Sequence, residues 1–227
     1  MAKVWYLGHS CLKIEINNVS IITDPFIRPN SQASRVDFDS LKADYILVSH
    51  GHQDHTADLL ELAQRTKALV ISNFEIITWL AKQGYSHGHP MNHGGAKHFE
   101  GVSFKMTNAI HSSSFPDGTY AGNPAGFVIS SKDKHIYFAG DTSLTMDMKL
   151  IGEEFDLNLA VLPIGDNFTM GIKDAVKAAK FVECNRVLGM HYDTFEPIEI
   201  DHEEAMSEFK DASATLNLLD IGEFIEL

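Results

Sequence analysis

Six residues, His50, Gly51, His52, Gln53, Asp54 and His55, follow an apolar run from Tyr45 to Val48 and constrain this chain more than anything else in it. Three imidazoles and a carboxylate delivered by the end of a strand are the donors that a borderline-soft divalent cation prefers. Ligands so close in sequence converge only where the backbone turns sharply, and Gly51 is expected to supply dihedrals that other residues resist. From Asp58 to Thr66 the residues Leu59, Leu62 and Ala63 recur at i, i+3 and i+4, the stripe of a helix lying on a sheet. The hexad is therefore predicted to sit between a strand and a helix, on a sheet rim where ligand-bearing loops lie. The plainer reading, surface histidines in a polar loop, suits a lone His but leaves three imidazoles and an acid at this spacing as coincidence.

With 227 residues and 44% apolar content the chain can bury a core by itself. It holds no low-complexity tract, charge block or Pro/Ser linker, so one domain over 1–227 is expected. Strands are predicted at Val4 to Leu7, Cys11 to Ile16, Ser20 to Thr23 and before the hexad, with helices over Asp58 to Arg65 and Phe74 to Lys82. The second half repeats that grammar, with strands near Val102 to Asn108, Gly126 to Ser130, His135 to Ala139, Leu159 to Pro163 and Arg186 to Gly189. Ile172, Ala175, Val176, Ala179 and Val182 form one helical stripe, and Ala205, Met206 and Phe209 begin another. Strands first and helices after, twice over, imply two sheets packed face to face with helices outside. VSIITDP at Val19 to Pro25 and HIYFAGDT at His135 to Thr142 echo each other, each a strand ending in an Asp.

A chain that gathers ligands at one strand end should bring others to other strand ends. His111 follows Phe104 to Ile110, Asp141 closes HIYFAGD, and His191 closes RVLGMH. Singly, each has a structural explanation: a turn residue, an N-cap, a hydrogen-bonded rim histidine. Together they complete two coordination spheres, with His50, His52 and His111 on one cation, Asp54, His55 and His191 on the other, and Asp141 bridging. Two cations about 3.5–4 Å apart hold a water and lower its pKa from about 15.7 toward 7, which supplies a nucleophile at neutral pH. Asp54 is a candidate catalytic residue that orients it. No GxSxG elbow is present, and none is required.

This order of motifs, HGHQDH, then His111, then GDT with Asp141, then His191, resembles the five-motif ligand pattern of the metallo-β-lactamase superfamily. The resemblance implies an α/β fold, the four-layer αββα sandwich, over nearly the whole chain. GHSC at Gly8 to Cys11, TDPF at Thr23 to Phe26 and PIGDNFTMG at Pro163 to Gly171 look like the branch of metal-dependent hydrolases related to ascorbate-phosphate lactonase. That branch implies fold and metal more than substrate, and the complete ligand set points to a binuclear metal hydrolase of a small ester, lactone or phosphodiester. The length leaves no room for the flavodoxin module of flavodiiron reductases or the arm of tRNA-processing nucleases. His52 departs from the HxExD arrangement of the oxygen-reducing relatives, which also favours hydrolysis. The alternatives are a nuclease of the same superfamily and a metal-binding regulatory module without turnover.

Further residues are candidates around that centre. His9 and Asp24, both at strand ends, are placed to receive the second N–H of a ligating imidazole, and Asn167 and Tyr192 to donate hydrogen bonds to substrate. The segment SHGHPMNHGG, with His87, His89 and His93 among turn-forming glycines and Pro90, reads as a connecting loop. His98, His135 and His202 read as structural or solvent-facing. Zn is the first choice of metal and Mn the second, with Fe, Ni or Co also compatible with imidazole and carboxylate.

Bulk composition limits the partners. A formal charge of −13 argues against nucleic acid, whose binding draws on Lys and Arg. A small-molecule substrate is expected, and an anionic one stays open because a cation pair reduces the charge locally. No run approaches the roughly 18 apolar residues of a membrane span, and MAKVWYLGHSCLKIEI lacks the apolar block of a signal peptide. The cytoplasm is the expected compartment, and β-lactams are therefore poor substrate candidates. Cys11 and Cys184 form no CxxC pair and read as buried thiols. A homo-oligomer is left open.

Overall fold

Alternating apolar and polar residues in AKVWYLG, CLKIEI and VSIIT fold as a meander of β1 (Ala2–Gly8), β2 (Cys11–Ile16) and β3 (Val19–Thr23). The computed structural model describes residues 2–227. Three parallel strands extend the sheet, β4 (Tyr45–Leu47), β5 (Leu69–Asn73) and β6 (Gly88–Met91). A second sheet starts from β7 (Ala96–Phe99), β8 (Val102–Asn108), β9 (Ala125–Ser131) and β10 (Lys134–Phe138), all antiparallel. Parallel strands β11 (Leu159–Pro163), β12 (Arg186–Met190) and β13 (Thr215–Asn217) complete it. The chain ends on β14 (Phe224–Glu226), which returns to pair with β1.

The two sheets are topological copies, one ordered β14-β1-β2-β3-β4-β5-β6 and the other β13-β12-β11-β10-β9-β8-β7. In each, the central strand has an antiparallel neighbour on one side and a parallel one on the other. Those central strands are β3 and β10, the two halves of the VSIITDP and HIYFAGDT echo. The inward residues of the two sheets, among them Val4, Leu12 and Ile14 of the first and Phe104, Phe127 and Ile129 of the second, share one buried core. A second core covers the outer face of the first sheet, where Ile22, Ile46 and Val70 meet Leu59, Leu62 and Ala63 of α2 (Leu59–Thr66) and Ile76 and Leu80 of α3 (Phe74–Lys82). The helices α4 (Met148–Glu154), α5 (Ile172–Phe181) and α6 (His202–Asp211) accompany the second sheet, so the layers run αββα. Caps fix the helix starts: the Asn73 side chain accepts from Ile76 N–H, and Asp201 accepts from Glu203 and Glu204 N–H.

Two expectations need correction. SHGHPMNHGG is not simply a loop, because Gly88–Met91 forms β6, an edge strand. Pro90 is tolerated there because an edge strand has one side with no ladder to donate to. The described residues also show β5, β7, β13, β14 and α4, which the sequence pattern did not announce.

Candidate metal centre

Strand direction decides where the centre forms. β1, β3, β4, β8, β10 and β12 each deliver a polar side chain just past their C-terminal ends, the edge where open parallel sheets bind ligands. The two sheets are tied at this edge by His191 N–H donating to the His9 carbonyl (2.9 Å) and Ala125 N–H to the Ser49 carbonyl (2.9 Å). Three of the delivered residues, His9, Asp24 and His191, hold positive φ of 56°, 36° and 56°. Such backbone is uncommon outside glycine and is retained where the surroundings enforce it.

The hexad turns as predicted, but Gly51 is needed for a different reason. Its φ is not positive; a Cβ there would collide with the Cβ of Ala121. Gly51 N–H is held by Ser113 Oγ at 3.1 Å, so the loop after His111 packs directly on the hexad. His52 precedes the short helix α1 (Gln53–Thr56), whose first turn carries Asp54 and His55 back over the strand end.

All seven predicted ligands converge. His50, His52 and His111 present nitrogens within 4.8 Å of one another, and so do the ligand atoms of His9, Asp54, His55 and His191. His50 Nε2 lies 2.9 Å from His52 Nδ1. Asp141 Oδ2 joins the two groups: it lies 2.9 Å from His191 Nε2 and 3.3 Å from His55 Nε2 on one side, 3.7 Å from His111 Nε2 and 4.0 Å from His50 Nε2 on the other. Ligands bound tetrahedrally at about 2.0–2.1 Å stand roughly 3.3 Å apart, so these spacings suit shared cations. His55 Nε2 and Asp141 Oδ1, both in this cluster, are buried without hydrogen-bond partners, an arrangement that folded proteins otherwise avoid. The residues therefore fit bound divalent metal.

Behind the ligands lies a supporting network. Asp24, fully buried, accepts from Ser49 N–H (2.7 Å) and Ser49 Oγ (2.6 Å) through its two oxygens, and its Oδ2 also takes the His55 Nδ1 proton (2.8 Å). Ser49 Oγ in turn meets His50 Nδ1 at 2.9 Å, so one carboxylate orients imidazoles of both groups. His9 Nε2 meets Asp54 Oδ2 at 3.0 Å while its Nδ1 is fixed by Thr194 Oγ1 at 3.0 Å. Ser49 and Thr194 went unnoticed in the sequence; their only signal was adjacency to His50 and to HYD at His191 to Asp193.

Charge is distributed unevenly. Burial, with the neighbouring His55, holds His50 well below the ordinary histidine value, and burial likewise lowers His52 and His111 and brings His9 to about 4. These imidazoles keep free lone pairs at neutral pH. Burial pulls His55 the same way, but Asp141, Asp54 and Asp24 overcome it and raise the ring well above its usual range. Three carboxylates around one ring attract positive charge, and a cation satisfies them as a proton does. Burial alone would raise Asp54 and Asp141; the histidines facing them hold both below the usual carboxylate range. Burial raises Asp24 against the pull of His55 and Ser49.

Two candidates stand apart from this cluster. Tyr192 stacks on Tyr6 with ring centroids 6.1 Å apart and lines a separate depression of about 420 Å³ with Arg35, Asp193 and His202. Successive residues project to different sides, and His191 takes the inward direction. Asn167 is exposed in the loop after β11 with φ 49°, a turn conformation, and makes no side-chain hydrogen bond to the cluster. His135 is bound to Ser130 Oγ and His202 to Asp193 Oδ2, away from the centre.

Comparison with known proteins agrees with the geometry. Residues 3–191 match the family model described as the β-lactamase superfamily domain. The chain is 54% identical over 225 residues to a UPF0173 metal-dependent hydrolase of Flavobacterium johnsoniae, covering 99% of this chain and all of that protein. It is 53% identical over 226 residues to one from Christiangramia forsetii, with the same coverage. Among solved structures it is similar to Igni18, a metallo hydrolase of the archaeon Ignicoccus hospitalis, with a TM-score of 0.90, 35% identity, and 99% and 97% of the two chains covered.

Proposed function

The chain belongs to the β-lactamase superfamily and, within it, to the UPF0173 metal-dependent hydrolases, and from that premise we propose that it hydrolyses a small ester, lactone or phosphodiester at a two-cation centre. His50, His52 and His111 would hold one ion, Asp54, His55 and His191 the other, with Asp141 shared between the two groups. One observation carries this reading: a single Asp141 oxygen lies within 4.0 Å of imidazoles from both groups. Zn is the first candidate and Mn the second, with Fe, Ni and Co compatible with the same donors. When bound, such a pair supplies a water acidified to near neutral pH and stabilises charge on the oxygen under attack.

The residues themselves divide the remaining work. Asp54, 28% exposed while His50 and His55 are sealed, is the acid that faces incoming substrate and water. Its charge persists at neutral pH because His55 and His9 face it, so it accepts a hydrogen bond from the attacking water and orients it. His9 fixes that carboxylate's rotamer, and Thr194 fixes His9. Asp24 holds the His55 ring, and through Ser49 the His50 ring, so that each turns its Nε2 inward.

Elemental analysis of the purified protein, with turnover measured on generic esters, lactones and phosphodiesters, tests the proposal. About two ions per chain are expected, with turnover that chelation abolishes. His52→Ala should reduce the ion count toward one and lower kcat at least about 100-fold, the scale of removing a principal electrostatic stabiliser. Metal-replete protein inactive on every class, or turnover indifferent to His52→Ala, refutes it.

A further inference from the structure

The segments that carry the centre and flank it, 48–58, 109–124, 139–147, 164–171 and 191–201, contain no lysine or arginine, although the chain has 18. Their exposed charges are acidic, among them Asp117, Asp147, Asp166 and Glu196. The segment after β3 carries two arginines, of which Arg28 is ion-paired. Arg28 grips Glu61 (2.7 Å) and Asp39 (3.0 Å), and Arg35 lines the Tyr192 depression beside Asp193 and Asp220. The same rim segments expose large apolar side chains: Ile110 beside His111, Tyr120, Met146, Phe168 and Phe195.

Phe195 has the most defined position. Its ring stands 5.5 Å from that of His9 and 6.4 Å from that of Phe26. His9 in turn holds Asp54, and Thr194, the residue before Phe195, holds His9. An exposed aromatic face thus lies one ring away from the carboxylate at the mouth of the centre, with no lysine or arginine in the five segments 48–58, 109–124, 139–147, 164–171 and 191–201. Recognition of a phosphodiester or carboxylate uses Arg, Lys or oriented N–H donors to replace its hydration. Against acids and hydrocarbon that hydration is lost without replacement.

Resting on the hydrolase reading above, we propose that the substrate is an uncharged carboxylic ester or lactone bearing an apolar group that packs on Phe195. Water oxygen bonds to the acyl carbon, the acyl C–O bond breaks, one proton of the water goes to the departing alkoxide, and the other leaves with the product acid to solvent. The centre itself answers the developing charge on the acyl oxygen. The rest of the substrate meets only the apolar rim.

The test compares p-nitrophenyl acetate, p-nitrophenyl hexanoate and bis(p-nitrophenyl) phosphate on protein loaded with Zn or Mn and assayed for ions per chain. A fully buried methylene is worth about fourfold and a half-exposed one about twofold, so kcat/KM for hexanoate should exceed that for acetate about tenfold. Both esters should exceed the phosphodiester at least about 100-fold, the discrimination expected where a charged group goes unpaired. Phe195→Ala should remove most of the hexanoate advantage and Phe195→Leu should retain it, a ratio that general loss of structure would not change. A phosphodiester turned over as well as the esters, or a hexanoate advantage that survives Phe195→Ala, overturns the substrate class while leaving the hydrolase reading intact. No turnover of any of the three by protein holding two ions overturns the hydrolase reading itself.

Discussion

The two ligand groups that meet at Asp141 are built from unlike materials. His50, His52 and His111 are three imidazoles, two of them partly exposed, with no carboxylate of their own. Asp54, His55 and His191 bring their own carboxylate, and Asp24 and His9 stand directly behind them. The first group is held neutral by burial, whereas the second surrounds His55 with three acids. The difference teaches that under the proposed two-cation reading the sites are unequal: the carboxylate-rich group should hold its cation more tightly, and the imidazole group should exchange more readily.

Asp141 is the element whose loss should erase the contrast altogether. Asp141→Asn keeps the shape but removes the charge that faces four imidazoles. Both ions should be lost or weakened together, with kcat/KM falling at least about 1,000-fold, roughly 4 kcal/mol of barrier; parallel ion counts and kinetics check this. If one ion stays at full occupancy, the bridging role is wrong.

Asp24→Asn should narrow the contrast. The second group loses the negative charge and one of the two acceptor oxygens behind His55, so its metal affinity should fall about 10- to 100-fold, the usual effect of disrupting such a partner. The first group feels the change only through Ser49. Competitive titration against a chelator would read two dissociation steps drawing closer together. Affinities that move equally would show that Asp24 serves both groups alike.

Acid should separate the groups in the metal-free protein, with the smallest effect per pH step. His50, His52, His111 and His9 have folded values below their unfolded ones, so the unfolded chain takes up more protons and stability falls as pH drops from about 7. His9 alone, at about 4 against an ordinary 6.5, accounts for roughly 3 kcal/mol once pH reaches its folded value. His55 is raised and works against this trend, its contribution being complete below about 6.5. Asp54 and Asp141, both depressed, contribute stability that is present above about 3.8 and is lost only as pH falls further. Thermal melts should therefore show a loss between pH 7 and 5 followed by a separate one below about 4. A melting temperature constant from pH 7 to 5 would contradict the imidazole part.

Much of the candidate centre was legible because its residues gather just beyond apolar strands, and strand ends are where period-2 patterning stops. His111, Asp141 and His191 could be named on that basis, and β3 and β10 could be matched as repeats. What escaped was set by tertiary contact. β6 was hidden because a Pro-containing edge strand looks like a turn, and β13 and β14 because three residues cannot display a period. Gly51 was recognised for its freedom, yet it is required for the close approach of Ala121. Tyr192 is marked only by standing beside His191, and sequence neighbours at a kinked strand end do not share a direction; Asn167 is marked only by its loop after Pro163, where it takes a turn conformation instead. Ser49 and Thr194 hold others in place, a role that carries no pattern in a single sequence.

His9, Asp24 and His191 share a twist that sequence does not display, and it carries a consequence for anyone moving this centre to another scaffold. A graft that copies only side chains and rotamers onto ordinary extended strand ends would aim three of its groups wrongly. The unit that must be transplanted is the bent terminus together with the neighbours that keep it bent, such as Asn30 and Ile221 crowding Gly8 beside His9 and the His191 carbonyl pressed against Gly165.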